Sequence, residues 1–207
     1  MNERSIEVVA FDCDGVMFDS SEANRAYYDQ VLAHVGLPAM TPEQRVYAHM
    51  HTVDESLRYL IDDPETLSAA QQYRTQMSYL GFIRHMVMEP HLRALLAKLK
   101  PVYKTAIATN RTDTMDRVLM EHDLEGQFDL VVTASDVQHP KPHPEQLQVI
   151  MHHFNIAPSQ MIYIGDSALD AQAAGAAAVP FIAYRNAVLT AHRHIDSLGQ
   201  VEEILHL

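Results

Sequence analysis

Cysteine occurs once in the 207 residues, as Cys13, so no disulfide can close within the chain. That fits a reducing compartment. Cys13 also stands between two acids, which disfavours a thiolate and argues against a nucleophilic role. Positive charge is scarce as well: 15 Lys and Arg face 27 Asp and Glu, a formal charge of -12. Such a surface repels phosphate backbones and anionic lipids, so neither nucleic-acid nor membrane partners are expected. Any phosphate site must be assembled locally, from a metal, backbone N–H groups and a few cations. No apolar run reaches the ~20 residues of a membrane span. Met1–Arg4 lead almost directly into a predicted strand, without the apolar core of a signal peptide, and a cytoplasmic location is expected. Repeats and low-complexity tracts are also lacking. What is present, 47% apolar and 20% charged residues, describes a folded globular chain. Its length fits one large domain or a domain with an insertion.

The most informative stretch is Val8-Val9-Ala10-Phe11-Asp12-Cys13-Asp14-Gly15. An apolar run ends in two carboxylates one residue apart. On a strand, residues i and i+2 share a face, so Asp12 and Asp14 are expected to converge beyond the strand end. Carboxylates that close repel unless a cation or proton intervenes, and oxygen ligands suit Mg²⁺. An acidic turn after a strand is the competing reading.

Residues 21–88 read as helices without a good strand, a small bundle of about seventy residues. Ser20 or Ser21 caps the first helix, and Thr41-Pro42-Glu43 starts a second. Thr52–Leu60 is a third, and Glu65–Val87 a long fourth. From Pro90 strands and helices alternate. Strands are predicted at Val102–Ala108, Phe128–Val132, Met161–Ile164 and Val179–Ala183. Helices are predicted at His91–Lys100, Thr112–His122, Glu145–Phe154 and Ala168–Ala177, with short ones near Val188–His192 and Val201–Leu205. This rhythm predicts an α/β fold, a Rossmann-like parallel sheet with helices on both faces, interrupted by an inserted all-α cap. The expected division is 1–18 and 89–207 for the core and 19–88 for the cap.

Three further segments follow predicted strands. Thr109-Asn110 offers a hydroxyl and free N–H groups at a helix start. Lys141 lies between Pro140 and Pro142 in an extended loop. In Gly165-Asp166-Ser167-Ala168-Leu169-Asp170, the two acids stand one helical turn apart. Read singly, these are a helix cap, a solvated lysine and an acid-rich helix start. Together they fall where open α/β sheets bind ligands, beyond the carboxyl ends of the strands.

The order Asp12-Cys13-Asp14-Gly15-Val16, Thr109-Asn110, Lys141-Pro142, Gly165-Asp166-Ser167-x-x-Asp170 resembles the haloacid dehalogenase superfamily of phosphotransferases. The detail is similar to its phosphoglycolate phosphatase and β-phosphoglucomutase branch. The resemblance implies a Mg²⁺-dependent phosphatase of a small phosphate ester, acting as monomer or homodimer. It implies Asp12 as the nucleophile that forms an aspartyl-phosphate, and Asp14 as the acid and base. It implies Asp12, Asp166 and the Asp14 carbonyl as metal ligands, with Asp170 behind them or holding Lys141. Thr109 and the Asn110 N–H would hold phosphoryl oxygens, and Lys141 would offset charge on phosphate and Asp12. Asp14 sets the chain apart from dehalogenating and phosphonate-cleaving relatives, which lack an aspartate there; the latter use a cap lysine, and Ser21–Val87 contains none. Mutases of the branch carry an acid directly before the metal aspartate, where this chain has Gly165, so hydrolysis is favoured over the phosphomutase alternative. A non-catalytic binding protein on the same fold is the third reading, which degraded motifs would favour. The histidines are read as solvated or capping, since His49, His51 and His152-His153 show no third ligand at helical spacing. His51 and Arg58 are the first choices for cap residues facing substrate.

Overall fold

The computed structural model describes residues 6–207, and the reading of Met1–Arg4 lies outside the described residues. Six parallel strands form one sheet in the order β5-β4-β1-β6-β7-β8. They are β1 (Val8–Phe11), β4 (Lys104–Ala108), β5 (Leu130–Val132), β6 (Met161–Gly165), β7 (Phe181–Tyr184) and β8 (Arg193–Ile195). β1 is central, paired in parallel with β4 on one side and β6 on the other. The chain runs outward from β1 through β4 to β5, then crosses to β6, β7 and β8. The strand order therefore reverses around β1, which is where ligands of such sheets collect.

Strand side chains alternate between two buried layers. Val9 and Phe11 pack with Leu92, Leu95, Leu96 and Leu99 of α6 (Leu92–Leu99) and with Val118 of α7 (Met115–Glu121). Val8 and Ala10 face Leu147 and Ile150 of α8 (Glu145–Phe154) and Ala173 and Ala174 of α9 (Ala168–Ala176). The α6 leucines are spaced for one helical face and are all fully buried. Each contributes about 1.5–3 kcal/mol of burial. The small alanines of α9 let it lie close against the sheet.

Between β1 and β4 the chain inserts helices α1 (Ser21–His34), α2 (Pro42–Met50), α3 (Val53–Leu60), α4 (Pro64–Gln76) and α5 (Leu80–Ile83). They close over a core of their own, with Tyr27, Tyr28, Val31, Leu32, Leu57 and Ile61. Thr41 and Thr52 each start a helix with reciprocal side-chain and backbone hydrogen bonds to the residue three positions on. The two connections into this unit run side by side as an antiparallel ribbon, β2 (Phe18–Asp19) with β3 (Val87–Met88).

The structure departs from the sequence expectations in three places. The long helix over Glu65–Val87 is two helices and a strand, because the chain leaves α4 in extended conformation at Met77. The ribbon strand β3 is set by pairing with β2 across the insertion, which no local pattern signals. Near Val188–His192 there is a turn rather than a helix, followed by edge strand β8, whose two exposed residues and one buried residue give little apolar pattern. Among the described residues, no helix is long and apolar enough to cross a membrane.

Candidate active site

Three strands deliver the site. Asp12 follows β1, Thr109 follows β4 and Asp166 follows β6. The convergence of Asp12 and Asp14 has a different cause from the strand alternation expected. β1 ends at Phe11, and the chain then turns tightly, with Met17 and Phe18 N–H both donating to the Cys13 carbonyl. Gly15 has φ +83°, and a Cβ there would lie 2.1 Å from Asp166 Oδ2. Only glycine permits that turn so close to a carboxylate. Cys13 is buried, and burial with the Asp14 charge pushes its thiol well up, as expected for an inert thiol.

Lys141 reaches inward from its proline-bounded loop and is 3% exposed. Its Nζ stands 2.8 Å from Asp12 Oδ1 and 2.8 Å from Asp170 Oδ1, and donates to the Ala108 carbonyl and the Tyr163 hydroxyl. Asp170 also completes the start of α9, accepting from the Ser167 N–H at 3.0 Å while Ser167 Oγ accepts from the Asp170 N–H at 3.2 Å. One carboxylate thus shapes the helix and fixes the lysine. The Asn110 side chain exchanges two 3.0 Å hydrogen bonds with the Lys141 backbone and donates to the Met50 carbonyl in the insertion. Its amide is therefore committed to holding the loop, not free for a ligand. Thr109 is fully buried beside it.

Arg111 is the side chain at the site that the sequence reading missed. It grips Asp14 through both oxygens, Nε to Oδ2 and Nη2 to Oδ1, each at 2.7 Å. From there a hydrogen-bonded chain runs through the Tyr79 hydroxyl and the Asn24 amide to His49 in the insertion. Its one sequence signal was adjacency to Thr109-Asn110. A cation there is unremarkable until the Asp14 turn is folded against it.

The charges do not balance. Asp12, Asp14, Asp166 and Asp170 converge, with Lys141 and Arg111 as the cations paired with them among the described residues. Burial, with Asp170 and Asp14 nearby, pushes Asp12 up to about 7 despite Lys141. Burial and the Asp170 and Asp12 charges push Asp166 up to about 8. Burial would also raise Asp14 and Asp170, but Arg111 and Lys141 outweigh it and hold those two below the usual carboxylate range. With all four acids ionised, two cations leave two negative charges uncompensated. The Asp12, Asp166 and Asp170 oxygens lie within 4.8 Å of one another. An all-oxygen donor set short of two positive charges fits a hard divalent cation.

Two hollows meet over these groups. The smaller is lined by Asp12, Thr109, Lys141 and Asp166. The larger extends under the insertion past Arg74, His51 and Tyr79. Asp14, His49 and Asn110 line both. His51 lines the larger hollow, whereas Arg58 is exposed on α3 and lines neither. Arg74 of α4 lines the larger one.

Known proteins agree with this architecture. A family model described as haloacid dehalogenase-like hydrolase matches residues 9–184. A phosphoglycolate phosphatase of Shigella boydii serotype 4 is 31% identical over 205 residues, covering 86% of this chain and 80% of that protein. A pyrophosphatase PpaX of Bacillus pumilus is 31% identical over 188 residues, covering 84% and 82%. Among solved structures, a HAD-superfamily hydrolase of subfamily IA from Geobacter sulfurreducens superposes with TM-score 0.80 at 36% identity, over 97% of this chain and 96% of that one. The β-phosphoglucomutase of Clostridium difficile shares the fold, with TM-score 0.82 at 22% identity over 97% and 96%. On its sheet order, its inserted helices and this match across most of its length, the chain belongs to the haloacid dehalogenase-like hydrolases.

Proposed function

We propose that the chain is a Mg²⁺-dependent phosphatase of small phosphomonoesters, working through an aspartyl-phosphate. The observation that carries this reading is the buried Asp12 carboxylate, 2.8 Å from Lys141 Nζ and lining one hollow with Thr109 and Asp166. Asp12 and Asp166, with the Asp14 carbonyl, would hold the metal, which would supply the charge neutralisation that lets a carboxylate approach a phosphate. An oxygen of Asp12 attacks phosphorus and the bond to the leaving oxygen breaks. Asp14 gives that oxygen a proton, then takes one from the water that cleaves the aspartyl-phosphate. The Thr109 hydroxyl and the Asn110 backbone N–H hold phosphoryl oxygens. Lys141 balances Asp12, and Asp170 keeps Lys141 aimed. Arg111 keeps Asp14 ionised in the resting state, ready as the base. To act first as acid, Asp14 must take up a proton and loosen from that grip.

Residues 19–88 act as a cap hinged on the β2–β3 ribbon. The relatives named phosphoglycolate phosphatase and pyrophosphatase both act on small phosphates, and the larger hollow beneath the cap is where a leaving group would lie. Hydrolysis is favoured over mutase chemistry by a packing fact. A Cβ at Gly165 would lie 2.4 Å from the Asp170 side chain, so the acid that mutases of the branch carry there has no room. A purely binding role is disfavoured because all four motifs carry their functional groups.

The test is phosphate release from a panel of phosphorylated metabolites with Mg²⁺, for the native chain and Asp12→Asn. The expected result is turnover by the native chain, lost in a folded variant. Comparable release by both would remove Asp12 from the nucleophile's role, and no release from any substrate would remove the activity.

A further inference from the structure

A second group of potential metal ligands lies on the outside of the Lys141 loop. Among the described residues, just two sets of three such side chains bring ligand atoms within 4.8 Å: the catalytic acids, and His139, His143 and Glu145. The segment reads His139-Pro140-Lys141-Pro142-His143-Pro144-Glu145. Lys141 turns inward at 3% exposure, while the side chains of His139 and His143 are 62% and 49% exposed. Prolines at alternate positions fix φ on either side of both the lysine and the second histidine. The loop is stiff before any ligand arrives, which lowers the ordering cost of binding one.

The donor atoms are already close to a coordinating arrangement. His139 Nδ1 stands 3.0 Å from Glu145 Oε2, and His143 Nδ1 3.8 Å from the same oxygen. Ligands 2.0–2.1 Å from a tetrahedral zinc are about 3.3–3.4 Å apart, so the two separations straddle the required spacing. The carboxylate is held in place by the Gln138 and His139 N–H groups, each donating at 3.0 Å. Such outer hydrogen bonds orient ligating carboxylates. The one competing contact on the His143 nitrogen is a long 3.3 Å bond from the Glu145 N–H. Two borderline imidazole donors beside one hard carboxylate match Zn²⁺ and its neighbours Co²⁺, Ni²⁺ and Cu²⁺ better than Mg²⁺, which prefers oxygen ligands alone.

We propose that His139, His143 and Glu145 form a surface site for Zn²⁺ or a similar late first-row divalent cation, separate from the carboxylate cluster that holds Mg²⁺. The remaining coordination positions belong to water, since the site is open to solvent. A bound ion ties the start of the loop to the first residue of α8, bracketing Lys141 from behind, and stabilises the native state by mass action.

The experiment titrates the metal-stripped full chain with Zn²⁺ against a chromophoric chelator, with excess Mg²⁺ present. The proposal expects about one tight equivalent, weakened at least tenfold by His139→Ala or His143→Ala and unchanged by Asp166→Asn. Co²⁺ in place of Zn²⁺ should give visible bands of a nitrogen-ligated low-symmetry site, lost in His143→Ala. Both histidines are exposed, so the variants should keep their circular dichroism and Mg²⁺-dependent turnover. A tight equivalent that survived in the His139→Ala/His143→Ala double variant would overturn the proposal. So would one lost in Asp166→Asn, or the absence of stoichiometric binding by the native chain.

Discussion

Replacing Lys141 with methionine removes the cation that Asp12 and Asp170 share, 2.8 Å from each, while keeping most of the side-chain volume. The site is dry: the side chain of Lys141 is 3% exposed, that of Asp12 9% and that of Asp170 0%. Removing one partner of such a buried pair costs about 3–5 kcal/mol, because the other partner is left charged and desolvated. Domains of this kind have a margin of about 5–15 kcal/mol, so Lys141→Met should lose about a fifth or more of its stability and stay folded above the low end of that range. At a urea slope of about 2 kcal/mol/M, the midpoint falls by roughly 1.5–2.5 M. Turnover of p-nitrophenyl phosphate, measured well below that midpoint, should drop about 10²–10³-fold through loss of a fixed charge at the phosphate. The discriminating variant is Lys141→Met/Asp170→Asn. It removes the second charge as well, and should be more stable than Lys141→Met alone. A loss under about 1 kcal/mol in the single variant, or a double variant destabilised by the sum of the two singles, would refute the shared-cation account.

Four further outcomes follow from the same geometry. Asp14→Asn should lower turnover about 10²–10⁴-fold. Arg111→Met should cost less and move the acid limb of the pH–rate profile upward, because the guanidinium that holds Asp14 below its usual range is gone; an unmoved limb would show that Arg111 does not tune Asp14. Metal-free protein should lose stability as pH rises from about 4 to 8 through the Asp12 and Asp166 contributions. Both groups are raised above their unfolded values, so in that window the native state binds more protons than the unfolded one. Mg²⁺ should therefore stabilise most at the alkaline end and release protons on binding at pH 6, and Asp166→Asn should flatten both effects in urea melts and calorimetry. Substitutions of His49 or Arg74 should reorder kcat/KM among phosphoesters while barely changing p-nitrophenyl phosphate, whose activated leaving group needs few cap contacts; a uniform loss would make the cap structural rather than selective.

What the sequence by itself determined was the alternation of strands and helices after Pro90, the helical insertion before it, and the position of Asp12, Thr109 and Asp166 just past strand ends. These are local properties. Apolar periodicity and capping residues act over a few positions, so each element and its terminus could be read one at a time. The tertiary structure decided what those termini meet. Asp12 and Asp14 converge through a turn closed on the Cys13 carbonyl and against Asp166, not through strand alternation. The Arg111 grip on Asp14 joins positions 97 residues apart, and the Tyr79 contact adds a third segment, so no spacing rule points to either. The ribbon of β2 and β3, edge strand β8 and the break after α4 are short and weakly patterned, and exist only because distant backbone completes their hydrogen bonds. The choice of Arg74 over Arg58 at the seam was likewise made by packing. Helix α3 turns Leu57 into the cap core, which leaves its neighbour Arg58 in solvent, while α4 carries Arg74 to the hollow. A carboxylate's charge is written in the sequence, but its protonation depends on burial and on which cations the folded chain brings within 3 Å.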